Sequence, residues 1–519
     1  MEHRKIFEEN RVLNYINPQN LNLKPYLEII ETLSSLKTGE DKLLYMTTYL
    51  ENNIEIVDIF SNLFFNGDNN KNLNDLDKYF LLYICSLLNK EVMKKYFPGI
   101  KVKENNFIYY KDSPLNMTKK LFQLFFSILF NSKIKEVQIT IINIILSYSE
   151  YSCDFIDYCL EDIKYINKIF ELTFIDNKEI VAEVGLILNN IIMYNDCDEQ
   201  KLKDILKVTP LIQRCQELIS IKNFNDSLKI NYLDLLDSII AKFKTSEYST
   251  FKNCIHIFSN ILSTSQNNEE VFKLILDIIE NLSNDDSICE EIIDKGLGYI
   301  FFTSLSSPNL EREYIIQLLK IFSNLFCSDN IIVYFFENYS EKIISLFIRI
   351  INTYLYTAND KDKKLLTELV FCLTNFASGP PETQSIISRS DIPRLVIQIM
   401  KVKNNNEIYF EGINFFYNIL NGCSRETFTK ISELHPFRIF VKGLEITGQS
   451  KDLNLCLDAL QYLIKKNYVV YRSKENLKNE FYISGAKRRL DELSFHENKD
   501  ISQKSLEIIN YFDDKMKTD

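Results

Sequence analysis

The chain has 519 residues, of which 46% are hydrophobic and 25% charged, and it contains only 12 Gly and 10 Pro. That length exceeds one ordinary hydrophobic core, which predicts several domains or one elongated array, and the scarcity of turn residues disfavours a sheet-rich fold. The formal net charge of −11 argues against a nucleic-acid-binding protein, whereas an acidic groove would attract Lys/Arg-rich ligands.

The first part of the chain has no strong targeting or membrane signal. Residues 1–26 mix a few cations with acidic residues and lack the apolar stretch of a signal peptide. The longest apolar runs, such as 121–130, are too short to span a bilayer. The 11 Cys form no CxxC pair and stand in apolar helical contexts, which predicts reduced core residues. We therefore expect a cytoplasmic and nuclear protein without membrane insertion.

Residues 27–114 show an irregular helical pattern with a polar stretch at 66–75, which predicts atypical N-terminal helical repeats that cap a stack. From 115 to 512 apolar residues recur at helical spacing, interrupted by short polar breaks near 283, 327 and 378. The run at 359–364 is predicted to be a loop, and residues 513–519 a charged tail.

One position repeats through this array. A helix ends in an apolar residue, two variable residues, Asn and another apolar residue, and a polar turn follows. The position recurs every 43 to 51 residues, a period typical of armadillo or HEAT repeats, and it is occupied by Asn143, Asn190, Asp237, Asn281, Asn324, Asn375, Asn418 and finally Tyr462. The period predicts an all-α, right-handed armadillo/HEAT-type α-solenoid with a concave peptide-binding groove.

The repeated Asn has two interpretations. An amide carries a donor and an acceptor, so a ladder of amides could hold the backbone of an extended peptide. Alternatively, each Asn satisfies the backbone near the end of its own helix. Six Asn in register favour the ladder.

Three segments resemble the importin-alpha family of armadillo-repeat nuclear import adaptors. The segment GAKRRLDELSFHENKDISQKSLEIINYF is similar to the family's closing repeat, and LTNFASGPPETQ to a family helix and turn. The segment LLKIFSNLF resembles the repeat in which a basic residue, here Lys320, replaces a Trp. The resemblance covers 115–512. It implies an adaptor that binds the Lys/Arg-rich nuclear localisation signals of cargo proteins in an acidic, Asn-lined groove.

The family also implies importin-beta and an export receptor as partners, and nuclear cargo rather than nucleic acid. Importin-alpha opens with a basic segment that binds importin-beta. Here residues 1–26 are nearly neutral, so that region is degenerate or absent.

The resemblance implies two peptide-binding sites. The second, C-terminal site would comprise Lys320, Asn324, Glu368, Phe371, Asn375, Glu411, Asn414 and Asn418. The first site would comprise Asn143, Glu183, Asn190, Asp237 and Asn281. In the family, Trp residues four positions before the ladder form slots for ligand Lys and Arg stems, but this chain contains no Trp. Because only Phe371 keeps an aromatic face at that position, the first site is predicted to be weakened and the second to be retained.

A rival hypothesis is an armadillo scaffold that has lost nuclear localisation signal binding, which the absent Trp and the neutral N-terminal segment favour. An enzyme is rejected: the four His are far apart without metal-ligand spacing, and no phosphate-loop or nucleophile motif occurs. No metal or cofactor is therefore predicted. The basic cluster Lys487-Arg488-Arg489 is interpreted as a solvated helix face rather than a self-targeting signal.

Overall fold

The computed structural model describes residues 135–513 except 152, 222–225, 265–267, 357–359, 404 and 422, together with Phe126 and Leu129. The predictions for 1–26, for 27–114 and for the tail beyond Asp513 lie outside the described residues. Within the described part, the chain forms α-helices, 3₁₀-helices and short connections without a strand, which confirms the all-α prediction.

The chain divides into two compact units. The first comprises Met1–Lys244 and Asn268–Leu274. Its described helices are α1 (Lys135–Tyr151), α2 (Cys153–Glu161), α3 (Ile163–Glu171), α4 (Lys178–Met193), α5 (Glu199–Val208), α6 (Leu211–Ser220) and α7 (Asp226–Ala241). After α1 the helices come in threes, and the third helix of each triplet carries the repeated position. These third helices stack in order, because α4 packs against both α1 and α7.

The second unit comprises Thr245–Asn267 and Ile275–Asp519. It contains a 3₁₀-helix (Thr245–Phe251), α8 (Lys252–Thr264) and the part of α9 (Glu269–Leu282) from Ile275 onward. The remaining helices are α10 (Asp286–Asp294), α11 (Leu297–Leu305), α12 (Arg312–Leu325), α13 (Asp329–Tyr354), α14 (Asp360–Ala377), α15 (Pro381–Arg389), α16 (Ile392–Lys403), α17 (Asn406–Leu420), α18 (Arg425–Ser432), α19 (Pro436–Ile446), α20 (Ser450–Tyr471), α21 (Glu475–Ile483), α22 (Ala486–Leu493) and α23 (Lys499–Phe512).

Helices that bear the repeated position, called ladder helices below, are α1, α4, α7, α9, α12, α14, α17 and α20. In the second unit α12, α14, α17 and α20 pack one on the next, and α23 follows α20. The core lies between them: on α14, Leu369 and Cys372 are fully buried, and the ring of Phe376 lies 4.9 Å from that of Phe326 after α12. Because each helix buries its apolar stripe against its neighbours, the repeats stack as an α-solenoid.

Three of the described turns between the first and second helix of a repeat share one backbone feature. Gly296 before α11 and Gly485 before α22 take the left-handed conformation, with φ of 79° and 76°. His435 before α19 takes the same conformation with φ of 54°. Glycine adopts this region without a steric penalty, so the sharp turn accounts for two of the few glycines in the chain.

The predicted loop at 359–364 is wrong for residues 360–364, which form the first turn of α14. Acidic side chains are favoured there, because the amino end of a helix carries partial positive charge. The long interval between Asn324 and Asn375 is accommodated instead by long helices. α13 runs through 26 residues, with a kink at Tyr339 (φ −140°), and α14 has 18.

Asp362 lies in that first turn and is fully buried. Its Oδ1 lies 2.9 Å from Nε of Arg312, an ion pair that joins the starts of α12 and α14. We expect Asp362→Ala to lower the free energy of unfolding by about 1 kcal/mol, because Arg312 loses its ion-pair partner but, being 42% exposed, remains solvated. The midpoint of urea unfolding measures the loss.

Asp360→Ala, two residues away, is the matched control for this prediction. The Asp360 carboxylate is 91% exposed and pairs with Lys363, so its removal should change stability by less than about 0.5 kcal/mol. Equal losses in the two variants would show that the buried pair contributes nothing specific.

Nine cysteines have described surroundings, and none of these forms a disulfide. Eight are buried as predicted, whereas Cys327 is exposed. None of the described helices could by itself cross a membrane; α12 and α13 meet the length and composition requirement only as a pair, bent by 118°.

Candidate functional site

The ladder amides tie neighbouring repeats together. Nδ2 of Asn190 donates to Oγ of Ser149 at 2.9 Å, and Nδ2 of Asn324 donates to Oγ of Ser283 at 2.9 Å. Further along, Nδ2 of Asn375 donates to the carbonyl and hydroxyl oxygens of Ser323 (both 2.9 Å), and Nδ2 of Asn418 to the carbonyl oxygen of Thr374 at 3.0 Å.

Each of these bonds crosses from one ladder helix to the end of the preceding one. The amide therefore has a structural role that neither interpretation of the sequence anticipated, since the partner is in the neighbouring repeat and not in its own helix. A primary amide also carries a carbonyl acceptor and a second N–H. All four Asn side chains are half-buried, so part of each amide faces solvent.

A cleft of about 630 Å³ lies across α14, α17 and α20. It brings together four residues of the predicted second site: Glu368, Phe371, Glu411 and Asn414. It also contains residues that the sequence analysis did not select, namely Thr367, Asn406, Glu407, Phe410, Gln449, Lys451, Asp452 and Leu455. We call this set of residues the acidic cleft. Asn324, Asn375 and Asn418 do not line it.

Carboxylates dominate the charge of the acidic cleft. Glu368, Glu407, Glu411 and Asp452 line it, against Lys451 alone among the lining cations. Burial raises the pKa of Glu368, an effect opposed by nearby Lys320 and Lys364 and reinforced by Glu280 and Glu407.

Burial likewise raises the pKa of Glu411, although Nδ2 of Asn414 donates to both carboxylate oxygens at 3.1 and 3.4 Å and thereby opposes the shift. Partly desolvated carboxylates attract a cation more strongly than carboxylates in free solution.

Two aromatic rings complete the acidic cleft. Phe371 is 41% exposed and presents its ring to solvent, and Phe410 is nearly buried. An exposed ring next to carboxylates can pack against the aliphatic stem of a Lys or Arg while the charged end reaches the carboxylates. The predicted role of Phe371 as the one aromatic face of the second site is compatible with this geometry.

Lys320 lies on the same row of helices but has a partner within the chain. Its Nζ is 2.7 Å from Oε1 of Glu280, which joins α12 to α9. Burial disfavours its charge, but the hydrogen bond to Glu280 and the field of Glu368 keep the pKa of Lys320 above its ordinary value. Next to this pair, Nε2 of Gln317 donates to Oδ1 of Asp277 at 2.5 Å. Lys320 thus compensates the charge of Glu280 within the chain.

Residues of the predicted first site are distributed over both units. Asn143, Glu183, Asn190 and Asp237 lie in the first unit and Asn281 in the second, and each is half-buried. At two of the positions where the family has Trp, Leu233 is fully buried and Leu186 is half-buried. A fully buried Leu offers no face to a ligand, and the weaker binding at this site stays a prediction.

Of the two cleft carboxylates that the sequence prediction omitted, one could have been found from the sequence. Glu407 stands four residues before Glu411, on the same face of α17, and helical periodicity would have found it. Asp452 and Lys451 come from α20, and only the packing of α20 on α17 brings them to the acidic cleft.

The basic cluster lies on α22, as predicted. Lys487 pairs with Asp513 at 2.9 Å and Arg488 with Glu492 at 2.9 Å, while Nε of Arg489 donates to the carbonyl oxygen of Leu444 at 2.9 Å. Since the chain's own groups engage all three cations, the cluster serves the packing and solvation of the closing repeat.

Known proteins share the fold of this chain but not its sequence. No family model matches the chain, and no curated protein matches it. An engineered protein of solved structure is 14% identical with a TM-score of 0.63, covering 88% of this chain and 98% of its own. A structure from a study of the phosphorylation switch between cadherin and beta-catenin is 11% identical with a TM-score of 0.59, covering 85% of this chain and 78% of its own.

These likenesses establish the fold alone. Together with the three-helix repeats, they define an all-α solenoid of the armadillo type.

Proposed function

We propose that this protein is an adaptor that binds Lys/Arg-rich linear segments of other proteins in the acidic cleft, without catalysing a reaction. The observation that carries the proposal is the grouping of Glu368, Glu407, Glu411 and Asp452 around the exposed ring of Phe371. Such a site offers a ligand cation both charge compensation and a surface for its stem.

The cellular role that fits this chemistry is nuclear import. Cargo proteins with basic localisation signals are the proposed ligands, importin-beta and an export receptor the proposed carriers, and the cytoplasm and nucleus the proposed location. The resemblance of the repeats and of the closing segment to importin-alpha supports this role. The side-chain carbonyl groups of Asn190, Asn324, Asn375 and Asn418 would accept N–H bonds from the bound peptide backbone.

Fluorescence anisotropy of a labelled Lys/Arg-rich peptide against the purified chain tests the proposal. We expect micromolar or tighter binding at low salt that weakens at physiological salt, because exposed charges are screened over about 8–10 Å. A peptide with every Lys and Arg replaced by Ala is the control. Lack of binding to the basic peptide at low salt would rule out the adaptor.

The affinity of the acidic cleft for the basic peptide should depend on pH. Because burial raises the pKa of Glu368 and Glu411, these carboxylates take up protons at a higher pH than exposed Glu, whose pKa is about 4.3. The protonated acids cannot compensate a ligand cation, so binding should be full near pH 7 and should weaken as the pH falls through their raised pKa values. Anisotropy titrations between about pH 4.5 and 7.5 measure this, and the Glu368→Gln/Glu411→Gln variant should show a much flatter profile.

A second candidate function is a scaffold for other ligands, and the ion pair between Lys320 and Glu280 favours it. A resident cation lowers the charge available to a basic ligand. The structure from the cadherin and beta-catenin study concerns an interaction between proteins, which is the broader role that this candidate shares. Failure of the basic peptide together with capture of a different protein ligand would select this candidate.

A further inference from the structure

A second cavity, of about 270 Å³, lies between α16 and α19, with Tyr409 of α17 in its lining, and it shares no lining residue with the acidic cleft. Its lining combines exposed cations with an apolar floor: Lys401, Arg438 and Lys442 on one hand, and Met400, Tyr409 and Ile439 on the other. We call this cavity the basic groove. Its volume is far above the ~30 Å³ share of a water molecule, so it can admit a large side chain.

Cations of the basic groove lack acidic partners. Within the described part of the chain, Lys401, Arg438 and Lys442 form no ion pair, and no carboxylate lines the groove. Exposed cations nearby behave differently, since Arg389 pairs with Glu426 at 3.0 Å. In a chain of net charge −11, three unpaired cations around one cavity are a local reversal of charge.

The neighbouring carboxylate does not compensate them. Glu480 of α21 is engaged by Nδ1 of His435, the left-handed residue that begins α19 and also lines the basic groove. Glu445, further along α19, lies 3.8 Å from Arg488 of α22. Both carboxylates thus pair with groups other than the three cations of the basic groove, and neither lines it.

The floor of the groove is a fixed apolar surface. Tyr409 and Met400 are only 6% and 3% exposed, and the Tyr409 hydroxyl donates to the carbonyl oxygen of Ile439 at 3.0 Å. Nζ of Lys442 lies 5.8 Å from the centre of the Tyr409 ring, which places its charge at the edge of the floor. The half-buried Leu434 and Ile439 expose apolar surface in the same cavity, which a small or purely ionic ligand would leave uncovered.

We propose that the basic groove binds an acidic linear segment of a partner protein, in which Asp or Glu residues flank one large apolar residue. The apolar side chain enters the cavity above Met400 and Tyr409, and the flanking carboxylates pair with Lys401, Arg438 and Lys442. Charge complementarity selects this occupant, because the groove has cations without anions and the rest of the chain is acidic. The site is independent of the acidic cleft and of the proposed function.

The test uses a labelled peptide of about 12 residues, rich in Asp and Glu with one central Leu, in anisotropy titrations against the whole chain at low salt. We expect saturable binding that falls at least tenfold in Arg438→Glu/Lys442→Glu and also falls when the peptide Leu is replaced by Ser. Lys465→Glu/Lys499→Glu is the matched control, because both residues are exposed, do not line the groove and make the same change of charge.

Helical circular dichroism and binding of the basic peptide to the acidic cleft check that each variant is folded. No binding of the acidic peptide, or an equal loss in the two double variants, would overturn the proposal. So would tighter binding of a single-stranded oligonucleotide of equal charge, which would assign the cations to nucleic acid. Self-association that disappears in Arg438→Glu/Lys442→Glu, without peptide binding, would assign the groove to a second copy of the chain.

Discussion

Replacing Glu368 and Glu411 by Gln should reduce the affinity for a Lys/Arg-rich peptide at least tenfold. Both carboxylates line the acidic cleft, and burial makes each interact more strongly with a cation than an exposed carboxylate would. Hydrogen bonds to charged groups contribute about 1.5–3 kcal/mol each, and 1.4 kcal/mol is a factor of ten in affinity. Gln keeps the shape of Glu, so the loss reports the charge.

A matched variant, Glu433→Gln/Glu497→Gln, removes the same charge from two exposed residues that do not line the acidic cleft. Its affinity should stay within about twofold of the unmodified chain, because exposed, distant charges are screened. Equal losses in both double variants would mean that the peptide senses only the net charge of the protein, and the acidic cleft would not be the binding site. Anisotropy at two salt concentrations makes the comparison.

Substitution of Lys320 by Gln should raise the affinity for the same basic peptide by about three- to tenfold at low salt. In the free protein Nζ of Lys320 pairs with Glu280 and lies in the field of Glu368, so it competes with a ligand cation for both carboxylates. Removal of the Lys320 charge frees Glu280 to bind a ligand cation, and it ends the repulsion between Lys320 and that cation. Each effect contributes about 1 kcal/mol or less to the binding free energy at a partly exposed site.

Lys361→Gln is the control, since Lys361 pairs with Glu313 at an exposed position outside the acidic cleft. It should leave the affinity within about twofold. The resemblance to importin-alpha assigns Lys320 to the peptide-binding site itself. Weaker binding in Lys320→Gln would therefore favour direct contact of Lys320 with the peptide, and it would contradict the competition proposed here.

Much of the fold was predictable because armadillo repeats are local in sequence. The apolar stripe of each ladder helix, the polar breaks near 283, 327 and 378, and the recurring Asn all lie within a few dozen residues of one another. Helix type depends on that local pattern, and each repeat packs chiefly on its neighbours. The loop predicted at 359–364 failed for residues 360–364, because the sequence does not show that Asp362 is buried and pairs with Arg312 of another helix.

Of the candidate site, Glu368, Phe371, Glu411 and Asn414 were implied by the resemblance to importin-alpha, and the structure brings them together in one cleft. Asp452 was not predicted to belong to the acidic cleft, because its position in the cleft depends on how far α20 is shifted along α17. The hydrogen-bond partners of the ladder Asn residues likewise could not be predicted from the sequence. Asn324 reaches Ser283, two residues after the preceding ladder position, whereas Asn418 reaches Thr374, one residue before it. A difference of three residues, most of one helical turn, in how neighbouring helices are aligned decides which atom the amide meets.

By itself the amino-acid sequence determined that this protein is helical and repetitive, because hydrophobic periodicity and the spacing of breaks act over distances that local sequence encodes. The tertiary structure alone decided which charges meet. It paired Lys320 with Glu280, gathered four carboxylates around Phe371, and left Lys401, Arg438 and Lys442 without partners around an apolar floor. Charge pairing depends on distances of a few ångströms between residues about 40 positions apart, and only the packing of one repeat on the next sets those distances.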